Sequence, residues 1–233
     1  MRNMLIGGVL AVLVAWLPGA AAFGGVIVVG AAADTYITEH PNLGGPSSVH
    51  GGDPTLFEIG SSIFKSYPLI RFDLSAFAGQ SVIGFASLRL NVVGTWQVPV
   101  SQTIDVLPVL VPWNESTVSW NSFGSGPICG TNVSCVSLDT VSVTVSSGSV
   151  VTFSNLPSAL LQQWIDNPAA NYGLFLLSTT LIDHEDITFA SRESTIASGP
   201  ELTFQTTPEP STLLLMGSGF AGLAAMLRRK INV

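Results

Sequence analysis

Positive charge is scarce in this sequence. Of 233 residues only 8 are Lys or Arg, against 15 Asp or Glu. Arg2, Arg228, Arg229 and Lys230 lie in the flanking segments, which leaves Lys65, Arg71, Arg89 and Arg192 for residues 23–206. All the acids except Glu209 fall in that span, so its net charge is about −10. Such a surface repels nucleic acid and anionic headgroups and cannot assemble a broad basic patch. The expected partners therefore exclude nucleic acid.

Cysteine and histidine are scarce too. The 2 cysteines, Cys129 and Cys135, flank a short polar loop. Too few for a thiolate zinc site, they are predicted to form a disulfide that mainly pins local geometry. His40 and His50 share a loop without ligand spacing. Neither an H-E-x-x-H helix nor a G-x-S-x-G nucleophile elbow occurs. The dense ionisable cluster Asp183-His184-Glu185-Asp186 has diverging side chains and no apolar neighbours to raise a pKa, so a solvated hairpin tip is expected rather than an acid–base pair. No catalytic residues are predicted, and the chain is not expected to be an enzyme. Asp34, Asp53, Asp183 and Asp186 are oxygen donors in or beside loops, the chemistry a hard cation needs. A structural calcium ion is the one cofactor they suggest, with no ligand set assigned.

Long apolar runs are confined to the two ends. Arg2, the run Met4 to Leu17, Pro18-Gly19 and Ala20-Ala21-Ala22 have the three-part form of a signal peptide, residues 1–22. At the other end, Thr212 to Leu227 carries no charge and is followed by Arg228, Arg229 and Lys230. This is close to the ~17–25 residues a membrane-spanning helix requires. The cations hold their end on the cytoplasmic side, so a transmembrane helix here leaves residues 23–206 outside. Gly217, Gly219 and Gly222 match G-x-G-x-x-G, but no strand precedes them, and a nucleotide site is not expected.

Residues 23–206 are rich in Val, Thr, Ser and Gly with turn residues every ten or so positions, which predicts an all-β fold, a single β-sandwich domain. Strands are expected at Gly25–Val29, Thr35–Thr38, Leu69–Leu74, Ser87–Val93, Thr103–Val111 (interrupted by Pro108), Val141–Val145, Val150–Phe153, Gly173–Leu177, Ile187–Ala190 and Leu202–Phe204. In Leu69–Leu74, alternation places Ile70, Phe72 and Leu74 on a core face and Leu69, Arg71 and Asp73 on the other. One short helix is expected after Pro157, from the spacing of Leu160, Leu161, Trp164 and Ile165, and Asn167-Pro168 ends it.

Sugars are held by an aromatic face under the ring and by forked side chains on hydroxyls or carboxylates. Arg71, Arg89 and Arg192 fall on non-core strand faces, and Tyr36 and Trp96 are the candidate stacking partners. Polysaccharide is thus the expected ligand, and Trp113 and Trp120 are read as packing.

Two resemblances sharpen this reading. Pro208-Glu209-Pro210, one apolar span and the terminal Arg228-Arg229 cluster resemble the PEP-CTERM sorting signal over residues 207–233. That implies a Gram-negative exporter whose membrane peptidase, an exosortase, cuts near Pro-Glu-Pro and releases the chain to the cell surface or extracellular matrix; a permanent tail anchor is the alternative. Within the body, Ala33-Asp34-Thr35-Tyr36-Ile37, Leu69-Ile70-Arg71-Phe72-Asp73-Leu74-Ser75, Ala86-Ser87-Leu88-Arg89-Leu90, the segment Trp113 to Asn121, Asn171-Tyr172-Gly173-Leu174 and Phe189-Ala190-Ser191-Arg192-Glu193 follow in an order that resembles the DNRLRE domain, which overlaps carbohydrate-binding module family 96. The resemblance implies a jelly-roll-type sandwich, often a non-catalytic module beside polysaccharide-degrading enzymes, with some members binding alginate. The competing expectation is a structural matrix component without a defined glycan.

Overall fold

The computed structural model describes residues 25–60, 64–96, 100–180, 186–207 and 217–222. The signal peptide, Asp183 to Glu185 and most of the apolar tail lie outside them. In chain order the strands are β1 (Gly25–Gly30), β2 (Ala33–Thr38), β3 (Thr55–Gly60), β4 (Lys65–Arg71), β5 (Ser81–Trp96), β6 (Val100–Pro108), β7 (Asp139–Val145), β8 (Val150–Pro157), β9 (Leu174–Ser178), β10 (Asp186–Ala190) and β11 (Glu201–Thr207), with one α-helix, α1 (Ser158–Asp166), before β9. Every ladder between these strands is antiparallel.

Two sheets form, and β5 belongs to both. Its first half pairs with β11 and β8, and β1 extends that sheet beyond β11. Its second half pairs with β10, from which the other sheet runs β10-β3-β4-β9-β6-β7 with β2 on the free side of β4. Register shifts at Ala86/Leu88 and at Thr188/Phe189 let one long strand bend between layers. The main core lies between the sheets, where Leu88, Leu90 and Val92 of β5 meet Phe153, Phe189 and Phe204, as the alternation of Ser87–Val93 predicts.

The second sheet is buried on both faces around β2, β4 and β9. β2 is buried at every position and β4 from Ser66 to Ile70. Alternate residues feed two cores: Ile70, Leu174 and Leu176 enter the main one, whereas Tyr67, Leu69 and Phe175 enter a second, roofed by Trp113, Val118, Trp120, Phe123 and Val133 of the long connection after β6. This explains the unbroken apolar run in β9. Leu69, on the face opposite Ile70 as the alternation places it, is fully buried as well, because that face has a core of its own. Burying one such aromatic contributes roughly 2–3 kcal/mol, so the roof is an integral layer. Asn132 holds it in shape, donating from Nδ2 to Gly126 O at 2.9 Å, and Cys129 and Cys135 are joined as a disulfide beside it.

Other boundaries differ in instructive ways. β4 ends at Arg71, yet Phe72 and Leu74 continue inward beyond the ladder. β6 starts earlier than expected and stops at Pro108, which has no N–H for a further rung. Strand β3 forms where the sequence pattern offers no strand; it is short and bounded by Pro54 and Gly60. Helix α1 forms with Pro157 as its N-cap and buries Leu161, Trp164 and Ile165. Residues 217–222 are helical, and no helix among the described residues is long and apolar enough to cross a membrane.

Candidate functional site

At one end of β4 the chain makes a close approach that sets up a cleft. Gly173 has φ +85°, and a Cβ there would lie 2.2 Å from the Ile70 carbonyl oxygen. Only glycine permits both the left-handed backbone and the contact. The approach brings Asn171 and Tyr172 beside Arg71. Asn171 Nδ2 donates to Phe72 O at 2.7 Å, and Trp113 Nε1 donates to Tyr172 O at 2.7 Å. The Arg71 guanidinium lies over the Trp113 ring, 5.2 Å from its centroid, in cation–π geometry. A cleft of about 460 Å³ opens here, lined by Ala32, Arg71, Asp73, Pro112, Asn171 and Tyr172 among others. A second of about 540 Å³ adjoins it across Pro112.

The polar equipment of the cleft is partly uncommitted. Asn171 Oδ1 is buried without a hydrogen-bond partner. The Asp73 carboxyl is held below its ordinary pKa by bonds from the Ser75 hydroxyl and N–H, with Arg71 adding to the effect. A half-buried tyrosine, a forked cation and a carboxylate around an open cleft can stack on a ring and bond its hydroxyls.

Arg192 lies just beyond the cleft wall, and Ala32 connects it to Arg71. The Ala32 N–H donates to Arg71 O at 2.8 Å, and its carbonyl accepts from Arg192 Nη1 at 2.9 Å. Arg192 grips Glu115 through Nε and Nη2, meets Glu193 Oε1 at 2.6 Å, and donates its backbone N–H to Asp34 Oδ2 at 2.8 Å. Asp34 is buried, and its N–H donates to Glu115 Oε1 at 2.9 Å. Burial is the main cause that raises the Asp34 pKa from 3.8 to about 7; the Arg192 N–H opposes the shift, Glu193 and Glu115 reinforce it, and the Arg192 charge opposes it least.

The predicted sugar-contacting residues do not form one surface. Arg71 and Arg192 come together around the segment Pro112 to Glu115. Arg89 stands on the other sheet, opposite Glu201 in register and bonded to it at 3.1 Å. Trp96 is exposed, but it is level with Asp186, Ile59 and Ser66, at the far end of β4 from Arg71. Tyr36 departs from its expected role. It is buried, stacked on His50 at 4.0 Å and edge-on to Phe57, so it offers no free face. Its hydroxyl donates to Asp53 Oδ2, and burial with that carboxylate pushes its pKa up. Asp34 and Asp53 are therefore in different polar sets, Asp186 opens β10, and Asp183 lies outside the described residues. Tyr172, Asn171 and Glu115 are not among the candidates the sequence offers, although the Asn171-Tyr172-Gly173 segment and the segment Trp113 to Asn121 carry them, whereas Glu193 is the neighbour of Arg192 and pairs with it.

The architecture is an all-β sandwich, with an open polar cleft beside a compact acidic knot. Residues 206–230 match the model of the PEP-CTERM protein-sorting motif. That span includes Pro208, Glu209, Pro210, Arg228 and Arg229, which lie outside the described residues. The motif marks an exported, membrane-processed protein that is a substrate of an exosortase-type peptidase. None of the curated proteins matches the chain.

Proposed function

We propose that the sandwich is a non-catalytic module that binds polysaccharide, delivered to the cell surface or extracellular matrix of a Gram-negative bacterium. The observation that carries this reading is the cleft itself, where Arg71, packed over Trp113, shares the lining with Tyr172, Asn171 and Asp73. Aromatic faces and forked donors at the edge of an open groove suit the two faces of a sugar ring, one apolar and one rich in hydroxyls. The resemblance of the body to the DNRLRE domain supports the same class of ligand. With four cations against fourteen acids in residues 23–206, a neutral glycan suits the module better than a strongly anionic one. In this reading residues 1–22 direct export, and Thr212–Leu227 engages the inner membrane until the exosortase acts at Pro208-Glu209-Pro210.

The test is affinity electrophoresis of the full chain, in detergent, through gels containing neutral and acidic polysaccharides. Retardation by particular glycans that is lost in Arg71→Ala and in Tyr172→Ala is the expected result. Equal mobility in every gel would replace this reading with a matrix component that acts by bulk and self-association.

A further inference from the structure

The acidic knot beside the cleft has features that neither packing nor the glycan reading explains. Asp34 comes from β2, Glu115 from the connection after β6, and Glu193 from the turn after β10. One carboxylate oxygen from each lies within 4.8 Å of the other two. Three carboxylates so close repel one another, and a single guanidinium offsets only one charge.

Two oxygens in this knot are left over. Arg192 and the Asp34 N–H satisfy both oxygens of Glu115, together with Asp34 Oδ2 and Glu193 Oε1. Asp34 Oδ1 and Glu193 Oε2 are buried and have no partner. Asp34 is only 1% exposed, so its free oxygen is withdrawn from bulk water. A buried, unpaired carboxylate oxygen is costly unless a proton or a cation meets it.

We propose that Asp34, Glu115 and Glu193 form a binding site for one divalent cation of the calcium class. The donors are all carboxylate oxygens, the preference of a hard cation. Three carboxylates from three separate segments suit the larger hard ion, because magnesium demands near-ideal octahedral geometry, keeps several waters and is held by only one or two carboxylates. Glu115 and Glu193 keep side-chain exposures of 19% and 26%, which leaves a route from solvent. An export destination supplies the ion at the concentrations where extracellular sites of ~10⁻⁴–10⁻³ M affinity fill. The ion would tie β2 to two loops, with Arg192 as the fixed counter-charge and Ala32 as the link to the cleft.

Calorimetric titration of calcium chloride into the full chain in detergent, with thermal melts alongside, tests the site without any glycan, so its failure is separable from that of the polysaccharide reading. One saturable site, a Tm that climbs with calcium, and magnesium weaker by about tenfold or more are expected. Glu193→Gln should weaken binding by about tenfold and Asp34→Asn should abolish it, while Asp105→Asn on β6 leaves it unchanged. If Asp34→Asn does not fold, Glu193→Gln decides. Absence of both heat and Tm change, equal affinity for magnesium, or a Glu193→Gln titration like that of the parent overturns the assignment.

Discussion

Arg192 and Glu115, 77 residues apart in sequence, meet in a two-pronged ion pair, with Nε 3.1 Å from Oε1 and Nη2 2.8 Å from Oε2. The pair joins the turn after β10 to the connection that roofs the second core, and it carries Asp34 and Glu193 with it.

Replacing Arg192 by Ala removes the one cation that the described residues supply to this knot and leaves three carboxylates close together. A loss on the order of 2 kcal/mol is expected, since charge-assisted bonds contribute more than neutral ones and the side chain is partly exposed. Arg192→Lys should recover only part of it, because an ammonium cannot reproduce the planar fork. Urea unfolding of the three proteins measures this, and equal midpoints would contradict it.

The raised Asp34 pKa has a definite sign. In the fold the group titrates at about 7, against 3.8 without the burial, so the native state holds more protons between those values. Its contribution is complete below the lower value and is lost as pH rises through the upper one. In EDTA, stability should therefore fall between pH ~4.5 and ~7.5 with a slope of at most ~1.4 kcal/mol per unit from this group. Denaturation across that range should show the slope in the parent and its loss in Asp34→Asn.

Gly173→Ala should be far more damaging than a second glycine replacement at a comparable φ. Gly148 has φ +88° and nothing within 4 Å of a built Cβ, whereas at Gly173 the Cβ meets backbone at 2.2 Å. Gly148→Ala should cost about 1 kcal/mol, and Gly173→Ala several times that or failure to fold. Soluble yield and unfolding midpoints compare them directly.

Trp96 and Arg89 lie away from the cleft, so Trp96→Ala and Arg89→Ala should leave glycan retardation unchanged while Tyr172→Ala removes it. Arg89→Ala should also cost less than about 1 kcal/mol, as the bond to Glu201 is a half-exposed surface pair. Loss of retardation in Trp96→Ala would move the binding face to the other end of the sheet.

Much of this molecule is legible in short stretches of its sequence. The inward set Leu88, Leu90 and Val92, the helical spacing from Leu160 to Ile165, and the Pro208-Glu209-Pro210 address are local patterns, and each reads through a period or motif within a few residues. The burial of Leu69 is not legible in this way, because alternation shows that a strand has two faces but not that a distant loop covers the second. Tyr36 failed for the same reason: its ring is tied up by His50 and Phe57, partners that the local pattern of β2 does not reveal.

The address, the β-rich class and most strand positions thus follow from neighbour-to-neighbour chemistry. The cleft and the acidic knot do not, since Asp34, Glu115 and Arg192 meet across separations of 77 to 158 residues. Which side chains converge there depends on the register of β2 against β4 and on a glycine contact at Ile70, and pairing energies of that kind are properties of two remote segments at once.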